Sequence, residues 1–145
     1  MSEAIDTIRR LLLAVLLIGL TGTTIELLLL KHVEQAAQLI PLALIGLAFG
    51  ATAWHALDDG RASLRVFQAV MVLFILAGGL GIYLHYRANV EFQREVDPSI
   101  AGRALIVKAM TAKTPPALAP GSMVQLGLIG LAYAYRYPSR RRTSE

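Results

Sequence analysis

Two groups suited to chemistry lie in stretches that are otherwise hydrocarbon: Glu26 in Thr24-Ile25-Glu26-Leu27-Leu28, and His85 in Ile82-Tyr83-Leu84-His85-Tyr86. A carboxylate at membrane depth is costly unless partnered or neutralised, so it points to a ligand site, a proton relay or a polar clamp between helices. At 100° per residue, Gly19, Gly22 and Glu26 fall within about 60° of one another, and Gly78, Gly81, His85 and Asn89 share a second stripe. If glycines mark packed faces, both polar groups point inward. Gly121, Ser122 and Gln125 form a polar, small-residue side of the last apolar run at the same level. The expectation is that Glu26, His85, Asn89 and Gln125 converge near one membrane face, with Glu91 and Glu95 just above them and His32 close by.

Such a set of oxygen and imidazole donors suits a hard or borderline cation. The familiar spacings are nevertheless missing: there is no H-E-x-x-H and no Glu-x-x-His pair on two runs. The absence of cysteine excludes disulfide scaffolds and thiolate metal sites. As axial haem ligands His32 and His85 are poor candidates, because His32 follows Lys31 at a membrane edge. A structural clamp, with Glu26 satisfied by a histidine and an amide, stands beside the binding reading. No nucleophile with a nearby base can be assigned, so an enzyme is not expected and no cofactor is identified.

The elements that position these groups are four apolar runs of about twenty residues, long enough to cross a bilayer as helices. They are Leu11–Leu30, Leu39–Leu57, Leu64–Tyr86 and, more weakly, Leu118–Tyr135. Hydrocarbon cannot satisfy open backbone amides, and the runs lack the alternating polarity of barrel strands. The fold class is therefore all-α: a polytopic membrane protein whose residues 1–145 make one four-helix up-down bundle, with spans 11–30, 39–57, 64–86 and 118–135. The third helix is expected to continue unbroken to about residue 95, beyond the membrane. The N-terminal stretch is read as an uncleaved first helix, since it has no A-x-A site and runs on to spanning length.

The connections are unequal. Those near Lys31–Gln38 and Asp58–Ser63 are short and force antiparallel neighbours. The third is long and is expected to carry an amphipathic surface helix over 98–113, with Asp97 as its N-cap, Pro98 at its first position and Thr114-Pro115-Pro116 as its stop. Glycines at Gly46 and Gly50 form a GxxxG, and Gly127 and Gly130 a small-residue stripe. With Gly19, Gly22, Gly78 and Gly81 they are expected to serve helix packing. Trp54, His55 and the tyrosines read as interfacial residues, and Asp58-Asp59-Gly60 as a turn.

Basic residues set the orientation. Arg9 and Arg10, Arg61 and Arg65, and Arg136 with Arg140–Arg142 fall on one side of four crossings, which predicts cytoplasmic termini in a plasma (inner) membrane. The net charge of +4 is mostly this topology signal and requires no nucleic acid.

In its length class and its single membrane-embedded glutamate on the first helix, the chain resembles the small multidrug-resistance transporters. That likeness covers an architecture and Glu26, while the long third connection and the basic tail depart from the family pattern. Glycine-lined faces and a surface helix point to a non-catalytic accessory or interaction subunit of a larger membrane assembly. Its partners would be the lipid bilayer and a membrane protein or a second copy. The alternative is a small-ligand, metal-ion or proton-coupled transport protein using Glu26 and His85.

Overall fold

Where lipid replaces water, a backbone must bond to itself, and the apolar runs do so as helices. The structure, a computed structural model, describes residues 2–29, 38–58, 60–112 and 118–137. In chain order the helices are α1 (Ser2–Leu29), α2 (Leu39–Asp58), α3 (Arg61–Val96), α4 (Gly102–Met110) and α5 (Leu118–Ala134), with no strand among the described residues. Three helices, α1, α2 and α3, are long and apolar enough to cross a membrane, and α5 is a shorter apolar helix. The expected residues His32, Lys31, Lys113, Thr114-Pro115-Pro116 and Arg140–Arg142 lie outside the described residues.

Two helices overrun their apolar stretches for a simple reason: nothing in the flanks breaks them. α1 starts at Ser2, and in its first turns Thr7 donates to the Glu3 carbonyl at 2.9 Å. α3 has 36 residues, about 54 Å at 1.5 Å each, against a hydrocarbon core of about 30 Å. The turn from α2 into α3 is closed by Ser63, whose hydroxyl accepts from Gly60 N at 3.2 Å and donates to Gly60 O at 3.0 Å.

The segment after α3 corrects one expectation. Asp97 does not cap a helix beginning at Pro98. Its carboxylate accepts from the Ser99 amide at 3.1 Å and the Ser99 hydroxyl at 2.6 Å, which bends the chain into a turn closed by Ile100 N donating to Asp97 O at 3.1 Å. The helix therefore starts later, at Gly102, whose φ of +58° is a left-handed value that glycine adopts without penalty. α4 is correspondingly only 9 residues long. It folds back on α3, burying Ile100, Leu105 and Ala109, and leaves Ile106, Val107 and Met110 exposed.

The Asp97 carboxyl is held below its ordinary value by the Ser99 hydroxyl first, then the Ser99 amide, with the positive charge of Lys108 adding to the effect. A depressed carboxylate stabilises above its unfolded pKa and loses that contribution as pH falls through the lowered one. The turn should thus hold at neutral pH and loosen only in acid, below the usual carboxylate range. Amide exchange at Ser99 should accelerate there, and Asp97→Ala should show the fast rate at every pH. A Ser99 rate that ignores both changes would mean the carboxylate does not hold the turn.

Helices α3 and α5 run antiparallel in the closest packing of the bundle, because glycines let one backbone meet the other. A Cβ at Gly127 would lie 2.6 Å from Met71 O, and one at Gly78 2.6 Å from Pro120 O. Gly81 faces the Pro120 ring, and Gly130 faces the Met71 side chain. α2 lies along α3 on one flank, and α1 along α5 on the other, with a smaller contact between α1 and α2. Leu16, Leu20, Ile45, Phe67, Met71 and Phe74 are wholly buried between them.

This arrangement puts α1 and α3 on opposite corners, with no Cα approach within 8 Å among the described residues. It also divides the predicted packing glycines. Gly19, Gly78, Gly81, Gly127 and Gly130 sit against a neighbouring helix, whereas Gly22, Gly46 and Gly50 have open space where a Cβ would stand.

Candidate functional site

The expected convergence of Glu26 and His85 does not occur. They stand on opposite-corner helices, and both are exposed. The reason lies in which side chains fill the core of α1: Leu16, Leu20, Thr23 and Leu27 are buried, and Glu26 lies about 80° round the helix from Leu16. Gly22 marks no packed face, so its alignment with Glu26 does not bring the carboxylate inward.

Other members of the predicted set are occupied elsewhere. Asn89 donates to Ala109 O at 3.0 Å and ties α3 to the last turn of α4. Glu91 pairs with Arg87 one turn away at 2.9 Å, and this bond and charge raise the Arg87 pKa further. Both side chains are mostly exposed, so water and salt screen the pair and it adds little to stability. Glu95 is exposed, and Gln125 lies on α5 facing α1's side of the bundle. Among the described residues, no three of His, Asp and Glu gather where a metal ion could sit.

What does form at Gln125 is a groove between α1 and α5. Val15, Gly19 and Thr23 line one wall and Ser122, Gln125, Leu126 and Ile129 the other, around a volume of about 190 Å³ that opens to the bundle's outer surface. Small residues make it: Gly19 admits the end of Leu126, and Ser122 adds little bulk. The groove is polar at the Thr23, Ser122 and Gln125 end and apolar toward Val15 and Ile129. By helical spacing Glu26 continues the Val15, Gly19, Thr23 stripe beyond the polar end.

The hydroxyls there behave differently from one another. Thr21 and Thr24 donate to the carbonyls of Leu17 and Leu20 at 2.8 and 2.7 Å, and Ser122 to that of Leu118 at 3.1 Å. Thr23 is 8% exposed and makes no such bond among the described residues. Its hydroxyl is left to the groove.

A second polar assembly lies at the opposite end of the bundle, around a histidine that sequence alone places at the membrane interface. His55 is 3% exposed and Ser63 0%, and His55 Nδ1 lies 3.3 Å from Ser63 Oγ. Three rings enclose the imidazole, with centroids 4.7 Å away for Tyr137, 6.1 Å for Tyr133 and 6.2 Å for Phe67. Over Tyr137 stands the Arg9 guanidinium, 5.3 Å from the ring centre. Arg9 also donates to the carbonyls of Tyr135 and Arg136 at 3.3 and 2.9 Å, placing a cation on the turn just past the C-terminal end of α5. Arg136 has a φ of +48°, the left-handed value at which a helix commonly ends.

His and Ser together suggest a base and a nucleophile, but the geometry is that of a joint. Ser63 Oγ is already engaged with Gly60 N and O and has no exposed surface through which a substrate would reach it. Four helices meet there: α1 through Arg9, α2 through His55, α3 through Ser63 and Phe67, and the end of α5 through its tyrosines. The sequence does carry a signal for it. Ile45, Ala48, Thr52 and His55 fall within about 80° on α2, so His55 continues a small-residue buried face.

No protein-family model, curated protein or solved structure matches the chain.

Proposed function

We propose that the chain is a non-catalytic integral membrane interaction subunit, a bundle that crosses the bilayer four times and packs against another membrane protein chain. One observation carries this reading: the groups that lipid has no use for lie on the bundle's outer surface. Gly46 and Gly50 face outward from α2 with open space beyond them, and Glu26 and Gln125 are exposed on α1 and α5. The buried middle of the bundle, by contrast, is mostly leucine, isoleucine, alanine, valine, methionine and phenylalanine, with the buried Thr52, His55 and Ser63 gathered at one end. A transporter places its polar groups inside, whereas a helix that docks on another in lipid places small and polar residues on the docking face.

The fourth crossing in this reading is α5, whose 17 residues span about 26 Å and reach across a core of about 30 Å with slight thinning. Both termini are then cytoplasmic in the plasma membrane, in keeping with the arginines near Arg9 and Arg140.

The chain has no cysteine, so single-cysteine variants test both points. A membrane-impermeant maleimide should label Ser99→Cys from outside intact cells. A photo-crosslinker on Gly46→Cys, in the protein's own membrane, should yield adducts larger than the chain, while one on the buried Ala48→Cys should not. Equal adduct formation at the two positions would remove the case for an interaction subunit.

A further inference from the structure

We propose that α4 docks on the phospholipid surface where α3 leaves the bilayer, with its apolar last turns among the lipid headgroups and Arg103 on their phosphates. The inference needs α3 to cross the membrane and goes beyond the partner chain proposed above, which it does not use.

Position carries the first step. The turn at Asp97 reverses the chain, and Ala109 O accepts from the Asn89 side chain, so α4 runs back along α3 toward the membrane. Asn89 lies three residues, about 4.5 Å, beyond Tyr86, where the apolar run of α3 ends. With Ala109 at that level, Met110 stands about 3 Å beyond the run, Val107 about 7.5 Å and Ile106 about 9 Å. A headgroup layer is roughly 5–8 Å deep on each side of the hydrocarbon. The last turns of α4 therefore lie at its depth, with Ile106 at its outer margin.

The order of side chains along α4 carries the second. Leu105 and Ala109 are buried against α3, and on the remaining surface the large apolar groups are Ile106, Val107 and Met110, 51%, 49% and 42% exposed. All three lie in the half of the helix nearer the membrane, while the first turn exposes Gly102, Arg103 and Ala104. Exposed side chains within the spans meet acyl chains wherever they point. α4 lies outside the spans, where water would meet these three groups unless the membrane surface covers them.

Charge supplies the third. α4 carries Arg103 and Lys108 and no acid. At 100° per residue Arg103 falls between Ile106 and Val107 and within about 20° of Met110, two turns nearer the helix start and so farther from the hydrocarbon. A basic head above an apolar end repeats the order of phosphate over acyl chain, and the long arginine stem can reach down to a phosphate oxygen. Nearby acids are otherwise engaged: Glu91 pairs with Arg87, and Asp97 holds Ser99. Arg103 has no ion pair among the described residues.

The chain has no cysteine, so single nitroxide labels report the depth of each position in the full protein. In vesicles of phosphatidylcholine and phosphatidylglycerol, collision with oxygen, which concentrates in lipid, is compared with collision with a water-soluble nickel chelate. Leu76→Cys, in the apolar run of α3, gives the lipid reference and Glu95→Cys the aqueous one. Every labelled position is exposed, so the fold is kept. The oxygen-to-chelate ratio at Met110→Cys and Val107→Cys should lie several-fold above that at Ala104→Cys, toward that at Leu76→Cys. Arg103→Gln should lower the Met110 ratio, and Arg103→Lys, which keeps the charge, should not. Equal ratios at Met110, Val107 and Ala104, or a Met110 ratio unmoved by Arg103→Gln, would overturn the proposal. An aqueous ratio at Leu76 would overturn it together with the spanning reading. Exposure of Met110 to the chelate in pure lipid, with shielding from both reagents in native membranes, would assign the face to a protein partner and overturn the lipid assignment alone.

Discussion

Gly127→Leu should separate α3 from α5 and cost the bundle about 3 kcal/mol or more, read as a large fall in melting temperature and in resistance to denaturing detergent. Even the first added carbon would lie 2.6 Å from Met71 O and 2.7 Å from an Ile75 side-chain carbon. A carbonyl oxygen of a helix cannot swing aside as a side-chain tip does, so the whole helix must move. Against this stands the improved helix propensity on leaving glycine, about 1 kcal/mol in the opposite direction. The clash outweighs it. At Gly46 an added Cβ meets nothing within 4 Å and points outward, so the small propensity gain dominates and melting should not fall. If Gly127→Leu and Gly46→Leu melted alike, glycine would not be what brings α3 and α5 together.

The same contrast shows how far the sequence can be read. The apolar runs locate the long helices to within a residue or two at α2, and an unbroken stretch to Glu95 anticipates the long α3, because span length and helix breakers are local properties. Which face of each helix packs is decided by its neighbours, and there sequence and structure part. Gly78 and Gly81 do mark a packed face, since Pro120 lies against them, but Gly22 marks none. Glycine permits close approach without requiring it. On α1 the buried stripe is Leu16, Leu20, Thr23 and Leu27, and that stripe carries Glu26 out of the core.

His85 escapes the bundle for a related reason. Gly78 packs on α5, but seven residues on, α3 has passed the start of α5 at Leu118, and His85 is exposed. The alignment of glycines holds as geometry and fails as a sign of burial. The Asp97-Pro98 pair suggests a helix cap, yet Ser99 two residues beyond Asp97 offers its amide and hydroxyl to the same carboxylate, and that turn takes precedence.

The histidine that is buried behaves accordingly. His55→Ala should destabilise the bundle by about 2–4 kcal/mol, from the cavity left among Phe67, Tyr133 and Tyr137 and from the broken contact with Ser63. Glu26→Leu should leave melting unaltered, because the exposed carboxylate holds no other helix in place. The joint also predicts where the damage appears. Arg9 binds the end of α5 through Tyr135 and Arg136 and lies over Tyr137, whose ring is closer to His55 than those of Tyr133 and Phe67. Loss of the imidazole should therefore loosen the end of α5 as well as that of α2. Hydrogen exchange should rise at residues 132–137 and near 55–58, with little change near Gly78 or Pro120. His55→Phe, which fills the space without the ring nitrogens, separates the two contributions: partial recovery assigns the remainder to the Ser63 contact. Should His55→Ala melt like the wild-type protein, the cluster would not be the joint between the four helices.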